Sequence, residues 1–203
     1  MRNKKLAVLT VAALTLTLAA GCAKPPQQEI DGLKAGLTAA EQSEAAKYAP
    51  DAWNAAQQAQ NDVNAELEAQ NNKFALFRSY TKTKELVAAA NQKAEEAKAA
   101  AVAGKEAASN AANEALAAAK ASIDTANATM TELAACRRQP KDFKKDMELM
   151  KGNYDGLAAQ VGGIESAIAS EDYLGAKAQA DSLKSSADTL VTDLQGAKVK
   201  IKC

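Results

Sequence analysis

Between residues 76 and 118, side chains that are mostly small recur at alternating steps of four and three. The run is Leu76, Tyr80, Thr83, Val87, Ala90, Ala94, Ala97, Ala101, Gly104, Ala108, Ala111, Ala115 and Ala118. Such spacing averages 3.5 residues and holds one stripe of a helix against one neighbour. No proline lies between Pro50 and Pro140, so nothing in that stretch forbids an uninterrupted helix. Together these features point to long helices packed along their sides. The expected fold class is all-α: an elongated helical hairpin or coiled-coil rod with a C-terminal three-helix bundle.

Composition sharpens this expectation. Of the 203 residues, 50 are alanine, which favours helix strongly and offers little area to bury. The 47% hydrophobic content therefore overstates the core, and thin helical packing suits the chain better than a thick globule. A seam of Ala and Gly lets a neighbouring backbone come close, near the lower end of the ~8–10 Å range. At 1.5 Å per residue, ~60 residues of helix would make a rod of roughly 90 Å. Near its end the seam steps over by one residue, to Leu116, Ala119, Ile123, Ala126, Met130 and Leu133. That step predicts two partners, one for each half of the helix. The competing reading of the middle section is an alanine-rich helix solvated on all sides.

The flanking segments repeat the pattern. Leu33, Leu37 and Ala40 suggest a short first helix. Pro50 suits a first helical turn, where its missing N–H is no loss, and Asp51 favours the positive end of the dipole. Trp53, Ala56, Gln60, Val63 and Leu67 then follow at steps of three and four, which makes Trp53 a packing residue. "QNNK" at 70–73 is the best turn candidate, although one continuous helix over 50–135 is compatible with the pattern. After "CRRQPKD" comes a stripe of Phe143, Met147, Met150, Tyr154, Leu157 and Val161, with Gly162 and Gly163 able to bend it. "ASED" at 169–172 offers a turn and cap, and Ala176, Ala180, Leu183, Ala187, Leu190, Leu194, Ala197 and Ile201 form a last seam. Large residues on one helix would oppose small ones on another.

The N-terminus concerns delivery. "MRNKK" is basic, and about fifteen mostly apolar residues follow. That is a signal-peptide length, short of the ~20 residues a spanning helix needs. Leu18, Ala19, Ala20, Gly21 and Cys22 resemble the lipobox of bacterial lipoproteins. The resemblance implies removal of residues 1–21, a diacylglycerol on the Cys22 thiol and an acyl chain on its new amine. No other cofactor is expected. The alternatives are an ordinary signal peptide that leaves Cys22 free, or an uncleaved anchor. Ala23 follows the cysteine; in enteric lipoproteins a residue other than Asp there favours the outer membrane. Cleavage would remove Arg2, Lys4 and Lys5, leaving 22 − 25 = −3. Residues 22–33 read as a short extended tether, 34–105 as an N-terminal hairpin continuing into a long helix, and 106–203 as the C-terminal bundle.

Cys136 and Cys203 remain, an even pair suited to an oxidising compartment. If the last three helices run up, down, up, the ends of the first and third lie together and carry these two residues. An intramolecular disulfide is the expectation; free thiols or a bond from Cys203 to another chain are the alternatives. Neither is expected to do redox catalysis, because no C-x-x-C spacing occurs.

Much chemistry is excluded. The chain has no histidine, which removes Ser-His-Asp and Cys-His nucleophilic machinery and His-ligated metal sites. No glycine-rich phosphate loop appears around Gly162 and Gly163. With 25 basic and 25 acidic side chains there is no basic face for nucleic acid. Carboxylates such as Glu95 and Glu96 lie within helical reach of lysines and read as surface pairs. Lys141, Lys144, Lys145 and Lys151 alternate with acids and read as a solvated face. No catalytic residue and no metal site are expected.

"EAAKYAPDAWNAAQQAQNDVNAE" and "FALFRSYTKTKELVAAANQKAEEAKAAA" resemble a family of Ala-rich helical bacterial envelope lipoproteins of undefined function. Tyr48, Ala49, Pro50, Trp53 and Ala56 match its A-P-centred signature; Val87, Ala88 and later alanines match its second part more loosely. The resemblance covers about residues 36–105 and implies an elongated periplasmic hairpin without catalytic residues. The expected function is a non-enzymatic, membrane-anchored spacer or scaffold facing the periplasm, most consistent with the outer membrane. Its partners would be membrane lipid through Cys22, with peptidoglycan, an envelope protein or a second copy along the helix faces. The alternative is an adaptor that recognises one envelope complex through the C-terminal bundle. A third reading, a desiccation-protective helix, rests on "KAEEAKAAAVAGKEAAS" and fits poorly with the bulky seams after Cys136.

Overall fold

The computed structural model describes residues 23–203. Residues 1–22 lie outside that description, and with them the expected signal peptide and Cys22. The described residues form six α-helices and no strand: α1 Gln27–Gln42, α2 Ala45–Tyr48, α3 Pro50–Asn71, α4 Thr81–Ala134, α5 Phe143–Ala169 and α6 Tyr173–Ile201. A single 3₁₀ turn, Ala75–Phe77, lies between α3 and α4. The chain divides into two compact units, Met1–Gly104 and Lys105–Cys203.

In the first unit, α1, α3 and the opening half of α4 share one core. Ile30, Leu33, Leu37 and Ala40 enter it from α1, Ala56 and Val63 from α3, and Val87, Ala90, Ala94, Ala97 and Ala101 from α4. Trp53 and Leu67 pack against it, half-buried. The alanines of α4 are wholly buried despite their size, because the opposing backbones come close to them. Gly36 illustrates the approach: a Cβ there would lie 3.4 Å from the Cβ of Ala94. At Gly104 the approach is closer still, and a Cβ would meet the Tyr48 carbonyl oxygen at 2.3 Å. These two contacts also give a direction. Passing from Gly36 to Tyr48 corresponds to passing from Ala94 to Gly104, so α1 and α4 run parallel.

Two expectations are corrected in this unit. Residues 22–33 do not remain an extended tether, because helix begins at Gln27 and Pro26 is already buried. Ile30 and Leu33 explain this: they share the spacing of Leu37 and dock on the same core. The long helix does not begin at Leu76 either. Asn71 ends α3, and Leu76 lies in the 3₁₀ turn at 66% exposure, whereas Tyr80 is buried. Gln70 sets this geometry. Its Nε2 donates to Glu66 Oε1 at 2.6 Å while its Oε1 accepts from the Ser79 backbone N–H at 3.0 Å. Lys82 Nζ meets the other Glu66 oxygen at 2.9 Å. The loop is thereby clamped from both sides.

The clamp is pH-sensitive. The Gln70 hydrogen bond first, then Lys82, hold the Glu66 carboxyl below its usual value of 4.5. Glu66, mainly through its hydrogen bond, raises Lys82 above 10.5. For a carboxylate with a lowered folded pKa, the contribution to stability is present above the unfolded value and lost as pH falls through the folded one. The contribution of Lys82 has the opposite sense and is lost as pH rises through its raised value. Glu66→Ala is therefore expected to be less stable than the parent at pH 7, with the gap narrowing as pH falls below the usual carboxylate value of 4.5. Urea unfolding followed by Trp53 fluorescence at pH 7 and pH 3 checks this; an equal gap at both would remove the carboxylate from the explanation.

In the second unit the rest of α4 packs with α5 and α6. Ala112, Leu116, Ala119 and Ile123 meet Ile164 of α5 and Ala176, Ala180, Leu183 and Ala187 of α6. Ala126, Met130 and Leu133 continue into a second cluster with Phe143, Leu190, Leu194 and Ile201. The seam thus does change partners along α4. Ala101 and Ala112 are both buried, but Gly104, Ala108 and Ala111 between them are only half-buried. The first register ends in those residues, and the second begins one position later.

A ladder fixes α6 against α4. Ser122 donates to Asp188 at 2.6 Å, and Lys198 pairs with Glu132 at 2.6 Å; both links join residues 66 apart. Equal separation means that the two helices run parallel in constant register. Exposed pairs of this kind contribute little stability, about 0–1 kcal/mol each, but they discriminate against a slipped register. Cys136 and Cys203, 67 apart with Cα atoms separated by 5.7 Å, form a disulfide as the last rung. Between them α5 returns in the opposite direction, tied to α4 by Lys120 and Glu165. Gly162 and Gly163 do not break α5; helix continues through both to Ala169. The chain instead reverses at residues 170–172, where Glu171 takes a left-handed φ of 62°.

Candidate functional site

No group of three or more metal-capable side chains converges among the described residues. No described helix is long and apolar enough to cross a membrane. The lipidation candidate Cys22 lies outside the described residues, and the two other cysteines are joined to each other. What the structure offers are two apolar surfaces that the packing leaves uncovered.

One is the tip between α3 and α4. Phe74, Leu76 and Phe77 are 69%, 66% and 76% exposed. Their neighbours hold them firmly. The Phe77 N–H donates to the Phe74 carbonyl at 2.9 Å, and the two rings stand 6.3 Å apart. The Arg78 guanidinium donates to the Lys73 carbonyl at 3.1 Å and to the Asn71 carbonyl at 2.9 Å, closing the C-terminal end of α3. Between Glu68 and Glu85 the chain has four cations, Lys73, Arg78, Lys82 and Lys84, and no further acid. The seam pattern assigned Leu76 to packing and passed over both phenylalanines. The available signal was that neither Phe74 nor Phe77 falls on the 4,3 spacing, while "KFALFR" is flanked by cations.

The other surface lies along α5, where it packs against the cores of the second unit. Its predicted stripe is real but only Phe143 is fully covered; Met147, Met150, Tyr154, Leu157 and Val161 are half-buried. The α4 and α6 residues opposite mix alanine with Leu, Ile and Met and leave these side chains partly open. Near the disulfide this leaves a groove of about 390 Å³ bordered by Phe143, Met147, Leu149, Met150 and Ile201, and equally by Asp142, Asp146, Asp193 and Lys200. Leu149 faces outward at 68% exposure. Methionine adapts its shape to irregular partners, so a face of this composition can accept an apolar ligand or helix.

In comparisons with family models, curated proteins and solved structures, nothing matches the chain.

Proposed function

We propose that the chain is a non-enzymatic, lipid-anchored helical spacer or scaffold of the bacterial envelope, held through an acylated Cys22 and facing the periplasm, most consistently at the outer membrane. In this reading the hairpin of α3 and α4 continues along α4 as a coiled-coil rod, and residues 106–203 form a three-helix bundle closed by the disulfide. It keeps the kinship with Ala-rich envelope lipoproteins that the Tyr48–Pro50–Trp53 motif suggests. The observation that carries it is α4, a 54-residue helix that lends one small-residue seam to two separate cores. Such a helix makes length with little side-chain volume, which suits separation better than catalysis.

Solution scattering of the purified chain tests the shape and is expected to give an elongated particle; a compact sphere would remove the spacer reading. Mass spectrometry of the chain from membranes is expected to find a blocked, acylated Cys22. Crosslinking in intact cells then separates functions. Co-sedimentation with purified cell wall favours the spacer. One dominant protein partner on α5 favours the second reading, an adaptor, for which the half-buried Met147 and Met150 face is the specific support.

A further inference from the structure

We propose that the tip formed by residues 73–78 docks into an anionic phospholipid surface, the same membrane that carries the acylated Cys22. The nearness of that membrane rests on the lipid-anchor reading; the chemistry of the tip stands without it.

Placement comes first. Because α1 and α4 run parallel, with Gly36 level with Ala94, the starts of both helices lie at one end of the first unit. Gln27 is nine residues before Gly36 and Thr81 thirteen before Ala94. At 1.5 Å per residue the start of α4 therefore projects about 6 Å beyond that of α1. The tip precedes Thr81 and so occupies this same end. Pro26 is buried against the unit, and only four residue steps separate it from Cys22. That length of chain reaches at most about 14 Å. An acyl anchor on Cys22 keeps this end, and no other part of the first unit, within a short tether of the bilayer.

Chemistry selects the occupant. The tip presents two aromatic rings and a leucine to water on a backbone fixed by the Gln70 and Arg78 hydrogen bonds. Counting Glu66, Glu68 and Glu85 against Lys73, Arg78, Lys82 and Lys84, the segment 66–85 carries 4 − 3 = +1, with its cations nearest the rings in sequence. The first residues of α1 do not cancel it, since Lys24 and Lys34 balance Glu29 and Asp31. Apolar side chains flanked by Lys73 and Arg78 match the boundary between acyl chains and anionic headgroups. A protein partner is the weaker match. A stable protein interface covers about 800 Å² on each side, and three side chains on a convex prong supply roughly 500 Å² at most.

The test uses the full chain purified in detergent and returned to vesicles. Trp53→Phe removes the sole tryptophan, and Phe77→Trp places one in the tip; Val102→Trp in the same background is the control, at a position 57% exposed in the same unit. In vesicles containing phosphatidylglycerol, the tip tryptophan is expected to shift to shorter wavelength and to be quenched by brominated acyl chains, while the control is not. Lys73→Gln with Lys84→Gln is expected to weaken docking about 25-fold, at about fivefold per charge. A tip emission that stays at its aqueous wavelength on vesicles carrying the chain overturns the proposal. So does quenching that is equal in neutral vesicles and indifferent to the lysine changes. Should Trp53→Phe disturb the fold, a photoreactive phenylalanine at position 77 of the otherwise unchanged chain gives the same answer: adducts to lipid support docking, and adducts to protein alone overturn it. The intact mass of each preparation reports acylation of Cys22 separately. An acylated chain with an aqueous tip defeats this inference alone, and an unacylated chain with a quenched tip defeats the anchor alone.

Discussion

Replacing both Cys136 and Cys203 by alanine is expected to lower the stability of the second unit by about 2–4 kcal/mol. The disulfide closes a loop of 67 residues, and the entropy removed from the unfolded chain grows with the logarithm of that length. The chain-entropy limit is about 4 kcal/mol. The site also magnifies the effect. Cys136 follows the last turn of α4 and Cys203 the last turn of α6, where frayed ends would otherwise separate. Cys136 shares a cluster with Leu133, Phe143, Leu194 and Ile201, so opening that end exposes part of the core. For a unit of 203 − 104 = 99 residues, the loss corresponds to a fall in melting temperature of roughly 10–25 °C. Circular dichroism melts with and without reductant check this. The parent is expected to shift under reductant while the double variant does not. Trp53 packs against the core of the first unit and marks that unit's transition, so the remaining helical transition can be assigned. A parent whose thiols titrate as reduced and whose melt is unchanged would show that helix packing alone holds that end.

How far these features could be read from the chain depended on which physics governed each one. The α4 seam was legible because burial of one helical stripe repeats in sequence at fixed steps. Even its change of partner showed, since a new neighbour at a different azimuth forces the one-residue offset between Ala111 and Ala112. Placing Cys136 opposite Cys203 followed from helix direction alone, and the 66-residue ladder meets the same constraint through Ser122, Asp188, Glu132 and Lys198. The α3–α4 turn was less legible. Its length depends on Gln70 reaching Ser79, a side-chain to backbone bond that no periodicity encodes. Helix in residues 27–33 was missed because Pro25 and Pro26 suggest an extended segment, yet proline is compatible with the position just before a helix. The half-covered face of α5 was missed for a different reason. Spacing identifies a stripe, but how fully the neighbouring helices cover it is a matter of volume, which only the assembled helices show. Gly104 carried no special mark at all: in sequence it was one more small residue in a seam of small residues.

Gly104→Ala is the sharper test of that seam, because local and tertiary effects oppose each other. Within a helix the substitution alone should stabilise by about 1 kcal/mol, as alanine is the better helix former. The added Cβ, however, would lie 2.3 Å from the Tyr48 carbonyl oxygen, 3.1 Å from its carbon and 3.3 Å from its Cβ. Two of these are backbone atoms, so no rotamer change relieves the contact. Tyr48 is the last residue of the four-residue α2, and its neighbours Ala45 and Ala49 are buried in the core, so the carbonyl cannot retreat without moving both. Overpacking of this kind costs about 1–3 kcal/mol, occasionally more, and here it should exceed the helix gain. Net destabilisation of the first unit is therefore expected, read as an earlier Trp53 fluorescence transition in urea. Gly152→Ala supplies the contrast. That glycine is also helical, but no atom lies within 4 Å of its Cβ position, so the same change should stabilise by up to about 1 kcal/mol. If both variants gained stability alike, the close approach of α2 to α4 would not exist in solution, and the seam would be a matter of helix propensity alone.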